Sequence, residues 1–304
     1  MIISSSFFIG LIFGAEIIIK LGGEYYLPIR RRIISKSSEI SLELVKPKQK
    51  KCPLENVAIG YFGQSNSTNT VAKTISSEFP RNLYQFHWKT GLCYKYSEPL
   101  LGTSGRGGNT ISFAAIELAK NYPEKNIIII PFGVGRSSVL DWSYGYLSYY
   151  HDFVLERIKF FNLEPKLFLW HQGESDSRVT LLTKKDLLLI PNYSSPSQGE
   201  YMFGTNPHAY KDALNNIIQK TFKEFPESKF GVALVSKCVY KSPYTLLRNA
   251  QKKVAVGNSN VFISADSDLI IGETNRSDRC HFSQEGSRKL GMMYFESIKR
   301  EIFD

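Results

Sequence analysis

The sequence predicts an α/β fold, a three-layer α/β/α sandwich with a central, mostly parallel five-stranded sheet. Short apolar runs alternate along the chain with longer segments of helical periodicity, and this alternation favours parallel strands covered by helices on both faces. The 304 residues, 42% of them hydrophobic, are enough to bury one large core. One domain is therefore expected, and no internal repeat is visible.

The apolar runs and periodic segments place the individual elements. Strands are predicted near 56–62, 127–132, 166–171, 230–235 and 260–264. Helices are predicted near 110–121, 146–161, 207–224, 243–256 and 284–301. The first strand is a continuous apolar, β-branched and aromatic run that ends at Gly63. Residues 180–205, rich in serine and proline, are predicted to form a long loop at the rim of a functional site.

Ser65 follows the first predicted strand, in the motif Gly-Gln-Ser-Asn at 63–66. Taken alone, a serine at this place is most often a helix cap, since Ser and Asn are the ordinary choices there. A tight turn after a strand is also where hydrolases expose a nucleophile, with backbone N–H groups facing the reacting carbonyl. Ser65 is therefore a candidate nucleophile that needs a base elsewhere in the chain.

His281 is the first candidate for that base. It is one of only five histidines and lies three residues after Asp278, ahead of the last predicted helix. A carboxylate at this spacing can accept the Nδ1–H of the imidazole and leave Nε2 free to take a proton from a hydroxyl. The alternative is a surface turn with a satisfied histidine, but a serine nucleophile requires such a base.

A dense polar cluster follows the predicted strand at 166–171, in the motif Trp-His-Gln-Gly-Glu-Ser-Asp at 170–176. Ligands bind at the carboxyl ends of strands in open α/β sheets, so this cluster favours function over structure. Gln172 is a candidate amide donor to an oxyanion, and Glu174 and Asp176 are candidates for holding the loop or contacting substrate. His171 is the second candidate for the base.

The motifs together resemble the SGNH (GDSL-like) hydrolase superfamily, and within it the carbohydrate acetylesterases that include sialate O-acetylesterases. The resemblance covers roughly residues 55–300 and implies that the predicted sandwich is of the SGNH/flavodoxin-like type. It rests on five segments in order, 63–66, 98–109 with the helix after it, 133–138 with Trp142, 170–176 and 278–286.

The resemblance implies roles for individual residues. Ser65 would be the nucleophile, His281 the general base and Asp278 its partner. The oxyanion donors would be the Ser65 N–H, an N–H of the Gly107–Gly108 turn and a side-chain amide. Further oxyanion-site or substrate-binding candidates are Gln64, Gly108, Asn109, Arg136, Gln172 and Glu174.

Two departures from the superfamily pattern leave choices open. Where the superfamily usually has Gly-x-Asn-Asp, this chain has Gln172-Gly173-Glu174, so the amide donor is either Gln172 or Asn109. Arg136 stands where the branch often has another glycine. Arg136 or Arg106 is a candidate partner for a substrate carboxylate, although a solvated arginine is the commoner outcome.

The chain carries a net charge of +10, concentrated in a basic segment before the predicted catalytic domain. Its basic residues are Lys20, Arg30, Arg31, Arg32, Lys36, Lys46, Lys48, Lys50 and Lys51. No nucleic-acid partner is expected, since no recognised nucleic-acid module accompanies the charge. A basic linker beside anionic lipids is the more economical interpretation.

Residues 2–19 are apolar except for three serines, two glycines and Glu16. This length approaches that of a membrane span, which takes roughly 17–25 residues, and no basic region precedes it as in a signal peptide. The organisation predicted is a hydrophobic anchor or signal-like segment (1–20), a basic linker (21–53) and an SGNH hydrolase domain (54–304). An extracytoplasmic, membrane-anchored protein is predicted, because residues 16–22 resemble the end of the anchor on envelope-facing SGNH hydrolases. The basic residues after the segment favour the alternative, a cytoplasmic domain.

The four cysteines, Cys52, Cys93, Cys238 and Cys280, leave the redox compartment open. A Cys238–Cys280 disulfide would pin the loop of His281 and fit an oxidising compartment, whereas four free thiols are equally compatible with the sequence. No metal or organic cofactor is expected, because the cysteines lack a C-x-x-C pair and the histidines are scattered.

The function predicted is therefore a serine esterase that removes O-acetyl groups from a sialic-acid-like or other glycan through an acetyl-enzyme. The alternatives are a glycan-binding member of the same fold without catalysis, and a lipase or thioesterase acting on longer acyl chains.

Overall fold

The computed structural model describes residues 49–50, 52–75, 78–177, 205–238 and 242–304. The predicted N-terminal anchor (2–19), nearly all of the basic linker and the predicted rim loop (180–205, apart from Thr205) lie outside these ranges. Among the residues that are described, no helix is both long enough and apolar enough to cross a membrane.

One eight-stranded sheet forms the centre of the domain. Its strands are β1 (Gln49–Lys50), β2 (Asn56–Gly63), β3 (Leu83–His87), β4 (Leu92–Lys95), β5 (Asn126–Pro131), β6 (Pro165–His171), β7 (Lys229–Leu234) and β8 (Val261–Asp266). They are ordered β1-β4-β3-β5-β2-β6-β7-β8. All neighbours from β3 to β8 pair in parallel, and only the pairs of β4 with β3 and β1 are antiparallel.

The prediction of a mostly parallel α/β sheet is confirmed, but the count of five strands is wrong. The five predicted strands are β2, β5, β6, β7 and β8, which lie side by side in the sheet. Three short strands extend one edge of the sheet. They were missed because β1 and β4 have only 2 and 4 residues. In β3, Leu-Tyr-Gln-Phe-His, a polar glutamine interrupts the apolar run after two residues.

Six α-helices are described: α1 (Ile111–Asn121), α2 (Val139–Ser143), α3 (Tyr146–Phe160), α4 (Pro207–Glu224), α5 (Thr245–Ala255) and α6 (Gln284–Ile298). A π-helical turn, Lys299–Phe303, continues α6. The five predicted helices agree with α1 and α3–α6 to within a few residues. The short α2 was missed, and it is held at its start by a capping box between Ser138 and Asp141.

Alternate side chains of β2 enter two separate cores, as the pleat of a strand requires. Phe62 packs on one face with α2–α5, where Trp142 and Trp170 are fully buried. Tyr61 packs on the other face with α1 and α6, where it meets Tyr294. The three-layer arrangement is thereby confirmed, and it puts the carboxyl end of β2 near the middle of the sheet edge.

Two disulfides tie the loops to this framework. Cys52, ahead of β2, is bonded to Cys93 in β4. Cys238, after β7, is bonded to Cys280 in the loop before α6. The sequence left open whether Cys238 and Cys280 form a disulfide or free thiols, and the structure contains the disulfide.

Candidate active site

The Ser65 turn begins where β2 ends. Gly63 has a φ of +134°, and a Cβ at this position would lie 2.1 Å from the carbonyl oxygen of His171, so only glycine fits. Ser65 opens a 3-10 turn, Ser65–Ser67. Its carbonyl accepts the N–H of Thr68 at 2.9 Å and the hydroxyls of Thr68 and Thr70, each at 2.7 Å. The turn is therefore held by its own backbone and by threonine side chains.

Ser65 does not act as a helix cap. The residue before the turn is Gln64, and no side-chain capping hydrogen bond is made there. Within the described part of the chain, neither the hydroxyl nor the N–H of Ser65 is engaged in a hydrogen bond. The side chain is thus left for chemistry rather than for stabilising the turn.

Asp278 and His281 form the hydrogen bond that their spacing predicts. Nδ1 of His281 lies 2.6 Å from Oδ2 of Asp278. Oδ1 of Asp278 accepts the N–H groups of His281 and Cys280, at 2.7 and 3.0 Å. Partial burial raises the pKa of Asp278, but the hydrogen bonds and charge of His281 outweigh this and hold the pKa below its ordinary value. The carboxylate therefore stays ionised and accepts Nδ1–H, which leaves Nε2 for proton transfer.

Asn66 joins the Ser65 turn to the His281 loop. Its Nδ2 donates to the carbonyl of Cys280, and its Oδ1 accepts the N–H of Phe282, both at 3.3 Å. The residue directly after Ser65 thus bonds to the residues directly before and after His281. Sequence reasoning quoted Asn66 only as a member of the motif, although its place beside the candidate nucleophile was the available signal.

His171, the second candidate for the base, is fully buried beneath this junction. Its Nδ1 lies 2.6 Å from the hydroxyl of Tyr294, and its Nε2 lies 3.5 Å from Oε1 of Glu174. Burial raises the pKa of Glu174, but His171 and the amide of Asn66 outweigh it, so the pKa is lowered. Being buried, His171 has no access to a substrate, whereas the side chain of His281 is 30% exposed.

Gln64 and Gln172 bond to each other below the turn. Oε1 of Gln64 accepts Nε2 of Gln172 at 3.1 Å and the N–H of Ser175 at 2.9 Å. Nε2 of Gln172 also donates to the carbonyl of Ser137 at 3.2 Å and to the carboxylate of Asp176. Both glutamines are buried, so their amides shape the loops around Ser65.

The predicted glycine turn is also internally bonded. The N–H groups of Gly107 and Gly108 donate to the carbonyls of Asn69 and Val71, at 3.0 and 2.8 Å. Asn109 directs its amide to the carbonyl of Ser67 at 3.4 Å and to the side chain of Asn69 at 3.3 Å. The other predicted oxyanion donors already donate to acceptors within the protein. Among the predicted donors that lie within the described ranges, the Ser65 N–H is the one without an acceptor.

Arg136 and Arg106 are exposed on two loops that meet beside Ser65. The N–H of Gly135 donates to the hydroxyl of Ser104 at 3.1 Å, which joins the loops. A Cβ on Gly135 would lie 3.9 Å from the Cβ of Ser65. Arg136 follows directly with a φ of +61°, a left-handed conformation that is uncommon outside glycine.

A protein-family model described as carbohydrate esterase, sialic acid-specific acetylesterase, matches residues 62–185. The matched stretch contains the Ser65 turn, the glycine turn and the cluster at 171–176, and it ends before Asp278 and His281. A comparison with curated protein sequences gives no match.

Solved structures with the same fold include three that cover most of this chain. A protein from Arabidopsis thaliana is 18% identical over 80% of this chain and 97% of its own, with a TM-score of 0.56. A carbohydrate acetylesterase from Xanthomonas citri is 15% identical over 82% of this chain and 57% of its own, with a TM-score of 0.55. NanS is 13% identical over 83% of this chain and 98% of its own, with a TM-score of 0.54.

At these identities the structural likeness establishes the fold. The matching family model confirms the predicted resemblance to carbohydrate acetylesterases and the predicted class of enzyme, a carboxylic ester hydrolase.

Proposed function

We propose that this chain is a serine esterase that removes O-acetyl groups from a carbohydrate, with residues 54–304 as its catalytic domain. The observation that carries the proposal is the junction made by Asn66, which bonds the Ser65 turn to the His281 loop. The Ser65 hydroxyl has no hydrogen-bond partner in the described part of the chain, and His281 is bonded to the carboxylate of Asp278. A nucleophile, a base and an orienting carboxylate are the groups that acyl transfer by serine needs.

The reaction proceeds through an acetyl-enzyme. Ser65 Oγ attacks the acetyl carbonyl while its proton passes to Nε2 of His281, and a C–O bond forms as the carbonyl electrons move to oxygen. The tetrahedral intermediate then expels the sugar oxygen, which takes the proton back from His281. Water, deprotonated by His281 in the same way, attacks acetyl-Ser65 and releases acetate with the free serine.

The Ser65 N–H supplies the first stabilising contact to the oxyanion. It has no other acceptor in the described part of the chain, and it belongs to a turn that is already rigid. A donor that is preorganised in this way need not reorganise as negative charge develops, which is the main source of its catalytic effect.

The substrate that fits best is a glycan bearing a carboxylate, such as a sialic acid. Arg136 and Arg106 stand on the two loops beside Ser65, and guanidinium groups pair with carboxylates in a bidentate way. The description of the matching family model, sialic acid-specific acetylesterase, supports the same class of substrate.

An oxidising, extracytoplasmic location fits the domain. Both described cysteine pairs form disulfides, and such bonds persist mainly outside the reducing cytosol. Anchoring through residues 2–19 stays a prediction from the sequence.

The decisive experiment is acetate release by the full chain from O-acetylated sialic acid, acetylated xylan and acetylated peptidoglycan, assayed in parallel. We expect release from one substrate and its loss in Ser65→Ala. Ser297→Ala, which removes a buried hydroxyl in α6, serves as the matched control and should keep the wild-type rate. Equal or absent release in wild type and Ser65→Ala would contradict the serine mechanism and favour a glycan-binding protein.

Two further comparisons test the choice of substrate. With O-acetylated sialic acid, Arg136→Gln and Arg106→Gln should raise KM by about tenfold, the equivalent of roughly 1.4 kcal/mol, whereas acetylated xylan should show no change. An increase of the same size on both substrates would exclude carboxylate recognition. Faster turnover of 4-nitrophenyl octanoate than of the acetate would instead indicate a lipase or thioesterase.

A further inference from the structure

A buried carboxylate lies behind the proposed catalytic junction. Glu174 is 1% exposed, and its Oε1 accepts Nδ2 of Asn66 at 2.6 Å. Its pKa is lowered, so it holds its negative charge at neutral pH. A residue so buried has no surface to offer a substrate, which sets it apart from the substrate contact that its motif suggested.

The amide of Asn66 is fixed in one orientation by three hydrogen bonds. Nδ2 donates one hydrogen to Glu174 and the other to the carbonyl of Cys280, and Oδ1 accepts the N–H of Phe282. A rotation of the amide by half a turn would point its oxygen at the carboxylate of Glu174 and its nitrogen at an N–H. Glu174 therefore decides which way Asn66 faces.

Arg276 also holds the His281 loop. Nη1 of Arg276 donates to the same Cys280 carbonyl at 2.6 Å, and its guanidinium lies 4.2 Å from the ring centre of Phe282. Asn66 thus adds hydrogen bonds to the backbone of both residues that flank His281. Without Asn66, the Phe282 N–H would have no acceptor, and the loop would be held by Arg276 and the Cys238–Cys280 disulfide without a bond to the Ser65 turn.

We infer that Glu174 and Asn66 are positioning residues for the proposed hydrolysis. Glu174 orients Asn66, and Asn66 fixes the backbone on both sides of His281 against the Ser65 turn. The inference rests on the proposed function, since it assigns the two residues to the geometry of that reaction. A misplacement of reacting groups by about 1 Å costs about a hundredfold in rate, and this is the effect that the pair prevents.

The kinetic test uses Asn66→Ala, Glu174→Ala and the double variant, assayed with 4-nitrophenyl acetate. Each single variant should lower kcat about a hundredfold and change KM by less than about twofold. Because Glu174 acts through Asn66, the double variant should be no slower than Asn66→Ala. Glu174→Gln should recover most of the rate that Glu174→Ala loses, since the glutamine carbonyl still accepts from Asn66. Fully additive losses, or a loss confined to KM, would overturn the inference.

A substrate-free test separates this inference from the proposed function. Amide hydrogen exchange at Phe282 should accelerate in Asn66→Ala and Glu174→Ala, because the acceptor of that N–H is removed or reoriented. The matched control is Gln85→Ala, which removes a buried amide whose bonds go to Ser97 and Leu101 rather than to the Ser65 turn or the His281 loop. It should lower Tm without changing kcat or the exchange at Phe282.

The two tests fail independently. If Phe282 exchanges at the wild-type rate in both variants, the positioning role is overturned even though Ser65→Ala abolishes acetate release. If exchange accelerates as expected while the wild type releases no acetate, the hold on the loop is supported and the proposed esterase function is contradicted.

Discussion

The chain contains two carboxylate–histidine pairs with the same spacing of three residues. His171 and Glu174 form one pair at the carboxyl end of β6, and both side chains are at most 1% exposed. Asp278 and His281 form the other pair before α6, with side chains 54% and 30% exposed. Both carboxylates have a lowered pKa, but the buried pair contacts only protein, whereas the exposed pair leaves Nε2 of its imidazole open.

The contrast shows that sequence spacing identifies a carboxylate–histidine pair, whereas its burial decides whether the pair can act in catalysis. A fully buried imidazole bonded to Tyr294 contributes to the stability of the core and to the placement of its neighbours. A base in catalysis must exchange protons with substrate and water, so it must lie at the surface of the site. His281 meets this condition and His171 does not.

The largest predicted effect comes from replacing the two histidines separately. His281→Gln should lower kcat by about 10⁴-fold or more with little change in Tm, because a general base is lost from a partly exposed position. His171→Gln should destabilise the fold by roughly 1–3 kcal/mol and retain a kcat at least about tenfold above that of His281→Gln. Steady-state kinetics and thermal unfolding check both. A larger loss of kcat in a folded His171→Gln would reverse the assignment of the base.

The second effect concerns the exposed carboxylate. Asp278→Asn should lower kcat by about 10³-fold, because the amide no longer orients Nδ1–H or stabilises the imidazolium. The lowered pKa keeps Asp278 ionised at neutral pH and above, so the full loss should be present between about pH 7 and 8. Glu285→Gln, an exposed change on α6, is the matched control and should leave kcat unchanged. A loss of less than about tenfold in this range would contradict the role of Asp278 in orienting the base.

The third effect compares the two disulfides, which close loops of nearly equal length. Their sequence separations are 41 and 42 residues, so removing either should cost roughly 4 kcal/mol of stability by loop entropy. Cys280 is next to His281, whereas Cys93 lies in β4. Cys238→Ala with Cys280→Ala should therefore lower both Tm and kcat, and Cys52→Ala with Cys93→Ala should lower Tm alone. Equal losses of kcat in the two double variants would show that the exposed pair does not depend on its covalent tie.

The central strands and the long helices could be predicted because their signals are local. The run at β2 is continuously apolar, and α4 begins at Pro207, where the sequence placed it. The edge strands carry mixed residues whose pairing depends on partners distant in sequence, such as Gln85 in β3 with Ile129 in β5. Local periodicity contains no information on such pairing.

Some contacts of the site can likewise be predicted from local sequence, and others cannot. The hydrogen bond between Asp278 and His281 follows from a spacing within one turn, so the sequence predicts it. The side-chain amide of Gln172 donates to the carbonyl of Ser137, which lies on another loop. Its use as an oxyanion donor therefore could not be judged from the sequence. The role of Asn66 depends on Cys280 and Phe282, more than 200 positions away. Contacts of this kind appear only once the chain is folded.

The smallest predicted effect concerns Asp176, a buried carboxylate that lies two residues after the buried pair of His171 and Glu174. Burial raises its pKa to about 6, although it accepts the N–H of Val139 and bonds to Gln172 and Thr205. A carboxyl with a raised folded-state pKa stabilises the fold while protonated, so stability should fall as pH rises from about 4 to 6 and then level off. The full change is of the order of 3 kcal/mol by linkage. Urea unfolding across this range should show the decline in the wild type and a flatter profile in Asp176→Asn, which has no proton to lose. A variant that declines as steeply as the wild type would place the titration elsewhere and leave Asp176 ionised, like Glu174 beside it.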